Sequence, residues 1–158
     1  MSVAFRRDGD DEHLEPKFEI PIPPGPNLVT SRGLALIEAQ VAELEAQVAR
    51  LAKAGAEPAR IEAAKRDLRY WQTRQITAEV VTVPSGDTVE IGTLVRFRQN
   101  GKVRELTIVG DDEADPGAGL IAFSAPIARA LLHAQAGDLL EFAGNVDALE
   151  VLAITVVS

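Results

Sequence analysis

The sequence predicts an α+β protein in which a helical hairpin precedes a β-rich domain with one helix. Three observations predict it. Apolar residues recur at alternating spacings of three and four from Leu34 to Leu51, β-forming residues take over after Glu79, and Asn100-Gly101 separates two strand-like runs. The expected division is an acidic, proline-rich tail over 1–29, an antiparallel coiled-coil hairpin over 30–79 and the β-rich domain over 80–158.

In the tail, Pro21, Pro23, Pro24 and Pro26 favour extended or polyproline geometry and oppose a helix. Asp8, Asp10, Asp11 and Glu12 lack the loop spacing and the closing bidentate Glu of a calcium site, so they read as a solvated segment. Thr30 or Ser31 can cap the first helix, whose seam is Leu34, Ile37, Val41, Leu44, Val48 and Leu51. Ile61, Ala64, Leu68, Trp71, Gln75 and Ala78 continue the heptad pattern on a second arm. Between them, Gly55 can end one helix and Pro58 can open the next, which makes 53–59 the tip of a hairpin. Each arm has about 22 residues, roughly 33 Å at 1.5 Å per residue.

After Glu79 the run Val80–Val83 reads as a strand, followed by a turn at 84–87. Asn100-Gly101 between Thr93–Gln99 and Lys102–Val109 is a two-residue hairpin signal, because both turn positions favour positive φ. Further strands are expected at Leu120–Phe123, Leu139–Phe142 and Leu149–Val157, with a helix from Pro126 to about Ala134.

Composition narrows the function classes. Apolar residues make up 46% of the chain and charged residues 25%, a globular balance, and no apolar run approaches the roughly 20 residues a membrane span requires. The amino terminus lacks the apolar stretch of a secretory signal, so a cytoplasmic protein is expected. Without cysteine there is no disulfide, thiol nucleophile or thiolate-bound zinc. A net charge of −8 argues against general affinity for DNA, which needs many Lys and Arg to displace counterions. The average conceals an asymmetry: residues 1–29 carry −3, residues 30–81 +1 and residues 82–158 −6.

The stretch from Ile108 to Leu140 combines an apolar strand end, an acidic turn Asp111-Asp112-Glu113-Ala114-Asp115-Pro116, a second strand, a Pro126-opened helix and a Gly137-Asp138 turn. In that order these elements resemble the carboxyl-terminal part of the GreA/GreB family of bacterial transcript elongation factors. Val29-Thr30-Ser31-Arg32-Gly33-Leu34 and Arg66-Asp67-Leu68-Arg69-Tyr70-Trp71 are similar to the two arms of the family's hairpin. The resemblance implies an FKBP-like β domain that docks at the rim of RNA polymerase's secondary channel, with the coiled coil reaching toward the active centre. It assigns docking to Asp111, Asp112, Glu113, Asp115, Ser124, Ala125, Pro126 and Ile127, with Ala125 standing where the family has the serine of its Ser-Pro element.

In the family an Asp and a Glu in a D-L-x-E-N motif at the tip help to hold magnesium for cleavage of backtracked RNA. Here the tip is Ala54, Gly55, Ala56 and Glu57, with one carboxylate and no such motif in the hairpin. Asp67-Leu68 echoes it only in mid-arm, beside Arg66 and Arg69. Arg60, Lys65, Arg66, Arg69 and Arg74 are placed like the basic face that approaches RNA or the channel wall; solubility and pairing with Glu38, Glu43 and Glu45 is the competing account. Tyr70 and Trp71 could stack on a base, although Trp71 on the seam reads first as a packing anchor. The acidic turn alone is a weak site for a hard cation, and His13, His133 and Ser124 form no recognisable catalytic arrangement.

The expectation is therefore a monomeric, non-enzymatic regulator of bacterial RNA polymerase, close to RNA or DNA in the transcription complex, with no cofactor or metal of its own. The alternatives are a cleavage-stimulating factor using Glu57 or Glu62, and an FKBP-like module with another protein partner.

Overall fold

The computed structural model describes residues 19–157, so the expectations for the acidic run at 8–12 and for His13 lie outside the described residues. The chain divides into two compact units. One holds 19–24 with 39–76, and the other holds 25–38 with 77–157.

The first unit is helical. Helix α1 (Ser31–Lys53), whose first turns belong to the second unit, buries Ile37, Val41 and Leu44 and half-buries Leu34, Val48 and Leu51, the residues of the sequence seam. Its amino end is capped by Thr30, whose Oγ1 accepts the Gly33 amide at 2.9 Å. Its carboxyl end closes as a Schellman turn. Gly55 sits at φ +69, its N–H donates to the Ala52 carbonyl, and the Ala56 N–H donates to Leu51. The Glu57 carbonyl then accepts from Arg60 and Ile61, so helix α2 (Pro58–Thr77) starts at once, with Pro58 in its first turn. On α2, Ala64 is buried and Ile61, Leu68 and Trp71 are half-buried. The heptad extrapolation fails at the end: Gln75 is exposed, Ala78 lies beyond the helix, and Arg74 is buried instead. Residues 19–27 contain no helix or strand, in keeping with their prolines.

The second unit is a five-stranded mixed sheet with a short helix. Strand β1 (Leu28–Val29) pairs in parallel with β2 (Glu79–Val80), which fastens the residues before α1 to those after α2. Val80–Val83 therefore contributes only its first residue to a strand, and β1 is a two-residue element too short to show a period. Strands β3 (Thr93–Gln99) and β4 (Lys102–Val109) form the expected hairpin, with Asn100 at φ 52 and Gly101 at φ 76. Strand β5 (Leu120–Ala122) lies parallel to β4, whereas β6 (Leu139–Phe142) and β7 (Asn145–Val156) are antiparallel neighbours, giving the order β5-β4-β3-β7-β6.

Helix α3 (Pro126–Leu131) covers the buried face. Ala128 and Leu131 pack with Val95 and Phe97 of β3, Leu106 and Ile108 of β4, and Leu149 and Val151 of β7. The alternation of buried Thr93, Val95 and Phe97 with exposed Arg96 and Arg98 is the two-residue period of a half-buried strand. Helix α3 stops at Leu131, short of the expected Ala134, because His133 turns to φ 72 and its amide donates to the Val89 carbonyl at 2.8 Å. The architecture is mixed α+β, as the sequence predicts.

Candidate docking surface and tip

Strand register explains why two segments distant in sequence meet. Val109 and Ala122 are partners in the parallel β4–β5 pair, and the Phe123 amide donates to the Val109 carbonyl at 2.9 Å. Both strands thus end together, and the loops that follow leave from one end of the sheet. After Gly110 the acidic residues form a 3-10 turn at Asp111–Glu113, with a second at Pro116–Ala118. The Ser124 hydroxyl donates to the Asp111 carboxylate at 2.6 Å, joining the acidic turn to the loop that opens α3. Asp115, Ser124 and Pro126 are exposed, and Asp111, Asp112, Ala125 and Ile127 are half-buried. Ala125 caps α3 through its backbone, with no side-chain bond, and Pro126 occupies the first turn.

Glu113 departs from the expected docking set because it turns inward. It is 8% exposed, and its carboxylate accepts from the Thr30 hydroxyl at 2.6 Å and from the Arg32 guanidinium at 2.7 Å. A carboxylate at the start of a helix is favoured by the partial positive charge of the unpaired amides there. Gly33 permits the approach, since a Cβ at that position would stand 2.8 Å from Glu113 Oε1. Glu113 is therefore a fastener between the acidic turn and the start of α1. It also lines a largely apolar groove of about 370 Å³, with Val83, Pro84, Ile91, Val109 and Leu120. Glu113→Gln keeps the shape and removes the charge, and is expected to lower stability by about 1 kcal/mol in denaturant titration; no loss would make the clasp energetically silent.

At the tip, Ala54, Gly55 and Glu57 are exposed and Ala56 is half-buried, so Glu57 presents its carboxylate to solvent among small residues. Among the described residues no group of three or more His, Cys, Asp or Glu side chains is placed to hold a metal ion.

The basic residues of α2 separate into two kinds. Arg60, Lys65 and Arg69 are exposed and Arg66 is half-buried, but Arg74 is only 2% exposed and leaves the expected solvent face. At that exposure the guanidinium is buried with its stem, which a charged group tolerates when it is paired or hydrogen-bonded. Arg69 is engaged from within its own unit. Glu19 receives its Nε at 2.7 Å and a terminal nitrogen at 2.8 Å, and Glu62 lies 3.5 Å away. The Arg69 hydrogen bond, aided by the charges of Arg69 and Arg66, lowers the Glu19 pKa despite some desolvation. Tyr70 and Trp71 are half-buried and meet edge to face, with centroids 5.2 Å apart. The Glu19 contact could not be read from sequence, because its partner lies 50 residues away.

The sheet unit coincides with a known domain: residues 83–156 match the family model described as transcription elongation factor, GreA/GreB, C-term. Over these residues the chain matches the carboxyl-terminal domain of the GreA/GreB family. Its relatives include transcription elongation factor GreA of Maricaulis maris, 35% identical over 79 residues, which are 48% of this chain and 50% of that protein. GreA of Rhizobium etli is 42% identical over 84 residues, covering 49% of this chain and 53% of its own length. The chain thus spans about half the length of the relatives it matches. Among solved structures, GreA factor homolog 1 of Thermus thermophilus aligns over 82% of this chain and 99% of its own, with 18% identity and a TM-score of 0.38. A GreA/GreB factor from Nitrosomonas europaea aligns over 81% and 98%, with 24% identity and a TM-score of 0.39. No helix of the described residues is long and apolar enough to cross a membrane.

Proposed function

We propose that this GreA/GreB-family chain regulates bacterial RNA polymerase from the secondary channel without stimulating transcript cleavage. The observation that carries the second half of this reading is the tip, where Glu57 is the one carboxylate among Ala54, Gly55 and Ala56. A hard divalent cation shared with a partner's site needs several oxygen ligands, and a single carboxylate on a short turn supplies too few. Helices α1 and α2 act as an antiparallel coiled coil, an arrangement supported by the seam residues Val41 and Leu44 on one and Ala64 on the other. The sheet unit serves as the FKBP-like docking domain. Its exposed Asp115, Ser124 and Pro126, with the half-buried Asp111, Asp112, Ala125 and Ile127, meet the polymerase, while Glu113 fixes the turn from behind.

In this reading the protein works by occupancy, as a cytoplasmic monomer with no cofactor, and changes nucleotide access or backtracking by standing in the channel. It is not itself an enzyme. Two measurements test it. Pull-down of purified polymerase is expected to weaken at least tenfold when Asp111→Ala is combined with Pro126→Ala, and undiminished binding removes the docking face. Backtracked complexes supplied with Mg²⁺ are expected to show no transcript shortening above background. Shortening that disappears in Glu57→Ala would instead make the chain a cleavage factor.

A further inference from the structure

We infer that residues 19–24 are a strap that covers the basic face of α2 in cis and competes with RNA for Arg69. The inference rests on that face being the RNA-facing side of the proposed regulator, and it is separable from polymerase docking. Glu19 grips the Arg69 guanidinium with both carboxylate oxygens, at 2.7 and 2.8 Å. Guanidinium presents the same fork of N–H donors to a carboxylate and to a phosphate, so Glu19 takes up the donors that a phosphodiester would use. Beyond this contact, Ile20 and Ile22 line a shallow groove with Tyr70, Thr73 and Ile76, so the strap runs along this side of the arm.

Three features suit the segment to the task. Pro21, Pro23 and Pro24 limit its backbone to extended forms, so little conformational freedom is lost when it lies down. Its charge is complementary: residues 19–24 carry one acid, Glu19, and no base, whereas α2 carries five basic residues against Glu62 and Asp67. Being tethered, it is present at a high effective concentration that a free ligand must overcome. The cover is nevertheless reversible. The Arg69 and Glu19 side chains are 46% and 58% exposed, and an ion pair so open to water shifts an equilibrium by no more than about fivefold. RNA suits this face better than an acidic protein segment. Lys65 and Arg66 lie four and three residues before Arg69 on one side of the helix, and Tyr70 borders them for base stacking.

The test titrates the full chain against a fluorescent single-stranded RNA at low salt and follows amide exchange at Ile20 and Ile22. Glu19→Gln is expected to bind about three- to fivefold more tightly and to exchange faster at both amides. Adding Arg69→Ala should cancel the gain in affinity, and high salt should shrink the difference between wild type and Glu19→Gln. Equal affinity of Glu19→Gln and wild type, unchanged exchange, or a gain that persists without Arg69 would each overturn the strap. Polymerase pull-down with the same variants keeps the two readings apart. Loss of polymerase binding by wild type would sink the proposed function and leave the strap standing, and an indifferent Glu19→Gln would do the reverse.

Discussion

Phe97→Ala is expected to destabilise the sheet unit by about 3–5 kcal/mol, the cost of deleting a large aromatic side chain from a closed core. Phe97 is fully buried and is among the largest such side chains. Its strand is the middle one of five, hydrogen-bonded to β4 on one side and β7 on the other, so the backbone cannot move inward to fill the space. Ala128 of α3 and Val151, the register partner of Phe97 on β7, belong to the same core and are too short to expand into the gap. Against a total stability of about 5–15 kcal/mol, this loss places the unit near its unfolding threshold. The measurement is denaturant unfolding followed by amide exchange in β3 and β4, because Trp71 reports on the other unit. Val103→Ala, at a position 47% exposed on β4, is the control and should change stability by less than about 0.5 kcal/mol. If the two variants behave alike, the core assignment fails.

Which parts of this architecture were legible in the sequence follows from the range of the interactions that make them. The Thr30 cap, the α1 seam, the Gly55–Pro58 turn and the Asn100-Gly101 hairpin are decided by residues a few positions apart, and each stands where its spacing puts it. Strand β6 is also local, confined between a turn at 135–138 and its pairing with β7. What sequence could not supply depends on distant partners. Glu113 reads as one more acid in a docking turn until its carboxylate is seen against Thr30, 83 residues earlier. Arg69 reads as part of a basic face, or as a partner of acids on the hairpin, until Glu19 is placed on it, and Arg74 reads as solvent-facing because charged helix positions ordinarily are. Ser124 is intermediate: its nearness to Asp111 follows once β5 is paired in parallel with β4, which the order of strands alone did not specify.

Gly110→Ala is expected to cost about 3 kcal/mol, toward the upper end for overpacking, and to disturb the proposed docking face as well as stability. The backbone at Gly110 lies at φ −75 and ψ 169, an extended conformation that any residue adopts, so alanine meets no torsional objection there. The obstacle is contact: a Cβ would stand 2.5 Å from the Leu28 carbonyl oxygen, a backbone atom that cannot rotate away. Either β1 or the acidic turn must move. Moving β1 strains its ladder with β2, in which the Glu79 amide donates to the Asn27 carbonyl at 2.8 Å and the Val81 amide to Val29 at 2.9 Å. Moving the turn displaces Asp111 from Ser124 and Glu113 from Thr30 and Arg32, undoing the three contacts that shape the proposed polymerase-facing surface. Gly117→Ala, a few residues on, would place its Cβ 3.7 Å from Asp115 Oδ1 in ordinary contact, and should leave both stability and binding nearly unchanged. Denaturant midpoints and polymerase pull-down on the two variants separate the outcomes. A Gly110→Ala protein as stable and as competent as Gly117→Ala would mean that the close approach of β1 to the acidic turn does not hold the docking surface in place.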